Sequence, residues 1–273
     1  MGLETKLLGL SVNLYEGLKS ALPNARFEDA SGAIFDIRLI KSPAELQHMR
    51  TAGAIAQKGL KATLAVVRPG VTENDIASVA YATLVKEGSE YFSSQPMVAG
   101  AHRTGWIHVS QRGTRIKSGD TVMMELGAFV HRYLGALMHT AVLGDPSRDV
   151  LRLVKASHET LDLIQQSVKP GRSVDAIAKE VKRGLADVSA DAYSTGMFGY
   201  SVGLSFPPNW QEGRFMIAEG IHEEIKTGMT FLTPITLRLP GTMGIGFTDI
   251  FTVTKTGCEV LVPRDRTLTV VPG

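Results

Sequence analysis

Only one of the 273 residues, Cys258, is a cysteine. A single thiol makes no internal disulfide framework and no Cys-x-x-Cys metal site. Its setting, "GCEVLV" after a turn, suits a small buried hydrophobe. An excess of one charge is missing too: 29 Lys and Arg face 27 Asp and Glu, leaving a formal net charge of +2. No dense Lys/Arg cluster occurs, so nucleic acid is not an expected partner. No apolar run approaches the roughly 20 residues of a membrane span, and the opening "MGLETKLLGLSVNLY" lacks the charged-then-apolar pattern of a secretory signal. The expectation is a cytoplasmic chain with no membrane association. Low-complexity tracts and a linker between two full domains are also absent.

What is present is patterned. Residues 11–22 carry apolar positions at helical spacing and stop at Pro23, and 24–43 read as a connector with a short strand. Residues 45–67 form a strong amphipathic helix introduced by Lys41-Ser42-Pro43. A Pro-Gly turn follows at Pro69-Gly70, then Thr72 as N-cap with Asp75 three residues on, opening a second helix. About one hundred residues later the unit recurs: Pro170-Gly171 matches Pro69-Gly70, and Ile177-Ala178 matches Ile76-Ala77. Two related αβ halves would place a ligand site between them. Farther on, residues 229–239 and 245–254 read as strands, the first broken at Pro234, and "TKTG" turns into "CEVLVP".

The stretch "GDTVMMELGAFVHRYLGALMHTAVLG" (119–144) holds two strand-like apolar runs, 121–124 and 136–143. Glu125 sits where the first run is most buried, and His139 lies inside the second. A carboxylate in an apolar strand costs several kcal/mol unless it is paired, protonated or bound to a cation.

Several segments taken in order, "KSPAELQHMRTAGAIAQKGL", "SGDTVMMELGA", "GYSVGLSFPP", "KTGMTF" and "TVTKTGCEVL", resemble the pita-bread superfamily of methionine aminopeptidase, prolidase, aminopeptidase P and creatinase. The resemblance implies an α+β pita-bread fold: two pseudo-symmetric αβ halves with antiparallel strands and a central cleft. It implies a catalytic domain over 36–273, with 1–35 a remnant (last helix and connector) of the N-terminal domain that creatinase and prolidase carry. A homodimer is implied as well.

The peptidases hold two divalent metals with two Asp, one His and two Glu. The corresponding positions here are Glu125, Ala136, Tyr200, Thr233 or Pro234, and Thr248 with Asp249 beside it. Alanine and proline offer no side-chain ligand, so neither a dinuclear metal site nor another cofactor is expected. "GYSVGLSFPP" with Trp210 and Glu212, His131-Arg132-Tyr133, and Thr248-Asp249 are similar to the metal-free creatinase/ectoine-hydrolase-like branch.

Metal-free cleavage of a C–N bond needs a base or nucleophile, a proton for the departing nitrogen, and stabilisation of developing charge. Glu125 is the candidate base or nucleophile; the alternative is a paired structural glutamate. By the resemblance His108 shuttles protons, while the family's other active-site histidine falls on Pro207. Tyr200 offers a hydroxyl to an oxyanion or merely fills the vacated space. Asp249, Trp210, Glu212, Arg132 and Tyr133 are candidate substrate contacts, against ordinary strand-edge, loop-face and turn roles; His139 is at most a supporting residue. The expected partner is a small polar substrate. Three functions stay open: a metal-independent hydrolase of an ectoine-, creatine- or N-acyl-amino-acid-like compound, a metal-dependent Xaa-Pro dipeptidase or aminopeptidase, and a non-catalytic peptide- or protein-binding module.

Overall fold

A computed structural model describes residues 1–5, 10–106 and 108–273, residue 214 by its backbone alone. After the short strand β1 (Gly2–Leu3), α1 (Val12–Ala21) starts at an N-cap Ser11 and ends ahead of Pro23. The connector holds β2 (Glu28–Asp29) and also a helix absent from the sequence reading, α2 (Ser31–Leu39). Asp29 accepts the Ser31 amide (2.9 Å) and so opens it. Ile34 and Ile37 are exposed while Phe35 is buried, so the helix shows no clear apolar period. The domain boundary expected at 35/36 falls inside this helix.

α3 (Pro43–Leu64) and α4 (Glu73–Lys86) both begin with reciprocal capping boxes, Ser42 with Glu45 and Thr72 with Asp75. Each such cap contributes about 1 kcal/mol. Between them Gly70 takes a φ of +89°, as Gly171 (φ +81°) does in the second unit, a backbone region that favours glycine. β3 (Met97–Gly100), a 3-10 turn (Ala101–Gly105), β4 (Thr121–Val130) and β5 (Tyr133–Leu143) complete the first half. The two apolar runs are therefore longer strands than expected. They meet at a two-residue turn, His131-Arg132, whose φ values of +49° and +70° fit a tight hairpin.

The second half repeats the plan with α5 (Arg148–Ser167), α6 (Val174–Val181), β6 (Met197–Val202), β7 (Gln211–Ala218), β8 (Thr230–Leu239) and β9 (Met243–Val253). β10 (Cys258–Val260) and β11 (Thr269–Val271) close the chain. Pro234 does not break β8, which pairs with β9 across it. β6 meets β8 only at Leu232 and Phe231, so Pro234 sits where the strand is flanked on one side, and the missing N–H is tolerated.

The strand orders are β11-β5-β4-β3 in one sheet and β10-β9-β8-β6-β7 in the other. α3 and α4 cover the first over Ile76, Leu84, Val122, Met124 and Leu126; α5 and α6 cover the second over Leu153, Ile164, Phe231 and Phe247. The opposite faces of the two hairpins, β4–β5 and β8–β9, turn toward each other. They touch where the Thr140 hydroxyl donates to the Gly246 carbonyl (3.1 Å) and accepts its amide (2.8 Å). Glu125 and Pro234 are each the fifth residue of their strand, β4 and β8, which makes them counterparts across the pseudo-symmetry.

Candidate active site

Strand alternation sets the inner face. Val122, Met124 and Leu126 pack under the helices, so Met123, Glu125 and Gly127 point between the sheets. Opposite Glu125 on its neighbours stand Met97 and Met138. Gly127 leaves room for the Trp210 indole, whose Cζ2 would lie 2.8 Å from a Cβ there. The resulting cavity of about 630 Å³ is lined by Glu125, His108, Tyr200 and Trp210 together with Ser94 and Asn209. Four of the residues singled out in the sequence thus come together.

Glu125 is 5% exposed, and among the described residues it has no hydrogen-bond or ion-pair partner. Burial raises its pKa from 4.5 to about 7, against the opposing pull of the Arg238 guanidinium. That value suits a general base near neutral pH. Tyr200 enters from β6, and burial beside the Glu125 carboxylate raises its pKa, so its hydroxyl stays protonated as a donor. The Trp210 Nε1 is buried with no partner among the described residues. His108 is exposed at the cavity mouth, yet enough protein surrounds it for desolvation, with Arg238, to lower its pKa and keep the imidazole neutral.

His108 takes a φ of +47° on the loop after the 3-10 turn, a conformation costing roughly 1–3 kcal/mol for a non-glycine residue. A carboxylate that sequence reasoning passed over holds this loop. Glu73, fully buried at the start of α4, accepts the amides of Gly100 (2.9 Å) and Arg112 (2.7 Å) and pairs with Arg103. Both arms of the His108 loop are thereby tied to one side chain. The only sequence signal was an acid in the first turn of a capped helix, which is common.

Four other candidates lie outside the cavity lining. Glu212, 2% exposed, is taken up by Lys41, by Arg38 (3.1 Å) and by the Leu204 amide (3.1 Å). Its charge is matched by a buried lysine, and the carboxylate lies outside the cavity lining. Asp249 pairs with Thr233 on the helix-covered face of β9, where it accepts from Gln165 (2.8 Å). Alternation turns Thr248 inward instead, and by the same register Pro234 rather than Thr233. Tyr133 donates to Glu45 (2.8 Å) and stacks on His48, tying β5 to α3. Arg132, at the exposed hairpin tip, lies over the Tyr91 ring (4.2 Å). His139 is locked between Thr269 (2.8 Å) and Arg264 (3.1 Å), and burial lowers its pKa to about 3. Cys258 is half-buried, its thiol pushed up to about 11.

The five inner-face positions are therefore Glu125, Ala136, Tyr200, Pro234 and Thr248, with one carboxylate among them. Among the described residues no three His, Cys, Asp or Glu side chains group in a way that could hold a metal ion. This donor set does not fit a dinuclear centre. One charged residue on the inner face was missed: Arg238 on β8, in line with Pro234 and Thr236. A lone arginine in "TLRLPG" reads as a strand-end surface residue, and only the register turns it inward.

The sequence profile of metallopeptidase family M24 matches residues 47–255. An uncharacterized hydrolase/peptidase of Sinorhizobium fredii is 31% identical over 279 residues, covering 99% of this chain and 68% of that protein. The ectoine hydrolase of Halomonas elongata is 26% identical over 281 residues, covering 98% and 69%. Among solved structures, the prolidase from Pyrococcus furiosus superposes with a TM-score of 0.88 at 23% identity, covering 97% of this chain and 76% of that one. The likeness establishes the α+β pita-bread fold. Among the described residues no helix is long and apolar enough to cross a membrane.

Proposed function

The chain belongs to metallopeptidase family M24, and from that premise we propose a hydrolase that cleaves a C–N bond in a small polar compound without a bound metal. The observation that carries this reading is Glu125: a buried carboxylate that lines the cavity, has no partner among the described residues, and is the one acid among the five inner-face positions that match the family's metal ligands. As base, Glu125 takes a proton from a water attacking the carbon of the C–N bond. The new C–O bond forms, the C–N bond breaks, and the proton taken up by Glu125 is relayed through the neutral His108 imidazole to the departing nitrogen, which returns both side chains to their starting states. Tyr200 donates to the oxygen on which charge develops. The similarity to an ectoine hydrolase supports ectoine-, creatine- or N-acyl-amino-acid-like substrates.

A metal-dependent Xaa-Pro dipeptidase is the second reading, favoured by the fold likeness to prolidases. The test is turnover, followed by NMR, of ectoine, creatine, an N-acetyl amino acid and an Xaa-Pro dipeptide, each in chelator and in added manganese. Turnover in chelator that Glu125→Gln abolishes is the expected result. Turnover only with manganese establishes the peptidase, and none in either condition favours a binding module.

A further inference from the structure

His108 lines more than the cavity around Glu125. It also lines a neighbouring cavity of about 790 Å³, whose other walls include His102, Arg103, Trp106, Ser110 and Arg112. The two spaces abut a second time, where Gln95 of the first donates through Nε2 to the Ser110 hydroxyl of the second (2.5 Å). Their charges are opposite. Among the described residues lining the first, Glu125 is the only Asp, Glu, Lys or Arg; the described lining of the second holds two arginines and no acid. The arginines are not equivalent. Arg103 is committed to the buried Glu73 carboxylate and to the Ser110 carbonyl (2.5 Å). Arg112 is fixed by its backbone, whose amide donates to Glu73 (2.7 Å). The residue itself is exposed, and its guanidinium has no hydrogen bond or ion pair among the described residues. One unspent cation therefore stands on a floor that Glu73 and Arg103 hold in place, beside a Trp106 that is 58% exposed.

We infer that this second cavity is a subsite for the anionic tail of an elongated substrate, with Arg112 binding the carboxylate and Trp106 packing on the chain that leads to it. The inference rests on the hydrolase reading only in calling the ligand a substrate. Because His108 lines both spaces, a molecule with its C–N bond at Glu125 and its far end at Arg112 passes alongside the imidazole. The charges set its direction: ionised Glu125 repels a carboxylate and Arg112 attracts one. Arginine keeps its charge across the working pH range, and its planar fork matches the two oxygens of a carboxylate. The indole beside it offers an apolar face to a spacer of several methylenes. The compounds selected are amides that carry a carboxylate several bonds away from the C–N bond. They are preferred over uncharged amides and over those whose carboxylate lies next to that bond, which would hold the anion in the first cavity with Glu125.

The test varies the spacing: N-acetylglycine, N-acetyl-4-aminobutyrate and N-acetyl-6-aminohexanoate are each compared with the corresponding uncharged amide by calorimetric or NMR titration. In at least one of the two longer pairs the acid is expected to bind about three- to tenfold more tightly than its amide, and in the glycine pair no more tightly. Arg112→Gln brings that acid down to the affinity of its amide; the position is exposed, so the variant folds as wild type does. Trp106→Ala weakens the longer acids and their amides alike. Glu125→Gln abolishes turnover and retains the preference. No preference in either longer pair, a preference that Arg112→Gln preserves, or binding of no probe overturns the subsite. An Arg112-dependent preference in a protein that turns nothing over supports the subsite and overturns the hydrolase reading alone. Turnover with no such preference does the reverse.

Discussion

Replacing Glu125 with glutamine removes the carboxylate from its buried place and keeps shape and hydrogen-bonding capacity. Burial raises the pKa of Glu125 from 4.5 to about 7, so the folded chain binds this proton more tightly than the unfolded chain. The stabilisation from the bound proton is full below pH 4.5 and is lost as pH rises to about 7. At about 1.4 kcal/mol per pH unit, the window amounts to about 3 kcal/mol. Glutamine is neutral throughout and has no such dependence. The variant should match wild type near pH 4 and exceed it by about 3 kcal/mol at pH 8, while losing activity. Urea unfolding followed by tryptophan fluorescence at half-unit pH steps measures the difference, in which all other titrating groups cancel. A difference that stays flat across this range, or a variant weaker than wild type at pH 8, refutes the claim that Glu125 is unpaired. A gain in stability with loss of turnover is the trade expected where a site keeps an uncompensated charge for its chemistry.

Because the base must be ionised, log kcat/KM should climb with pH and level off above about 7, a limb that a pH–rate profile in chelator reads directly. Glu73→Gln should detach the His108 loop: kcat falls, amide hydrogen exchange over 100–114 quickens, and stability drops by about 3–5 kcal/mol as Arg103 loses its buried partner. Glu212→Gln should cost a similar amount, about 3–5 kcal/mol, by stranding Lys41, with KM unchanged in variants that remain folded; a selective rise in KM would return Glu212 to the substrate site. Gly127→Ala should push the Trp210 ring from its place at a cost of about 1–3 kcal/mol and raise KM more than it lowers kcat.

Much of the architecture was readable because it is written locally. Ser42-Pro43-x-Glu45 and Thr72-x-x-Asp75 specify helix starts through bonds a few residues long, and the recurrence of Pro-Gly predicted two related halves. α2 escaped because its isoleucines face solvent and leave no apolar period. The site divided along the same line. Glu125, His108, Tyr200 and Trp210 were identifiable because an acid in an apolar run, or a family position, marks them one at a time.

Which face a residue joins, and whether its charge is already used, is a tertiary matter. Thr248 and Asp249 are adjacent in sequence, yet period-2 alternation sends one inward and the other to Gln165 under α5. Glu212 looked free until Lys41 and Arg38, more than 170 residues away, closed on it. Nothing local marks Arg238 or Glu73, which strand register and loop closure bury. The sequence by itself determined the helix starts, the duplicated plan and the residue types at the five inner-face positions, because each depends on residue identity and near neighbours. Only the tertiary structure decided which carboxylate stays unpaired, since burial and pairing depend on chain segments that meet only in the folded molecule.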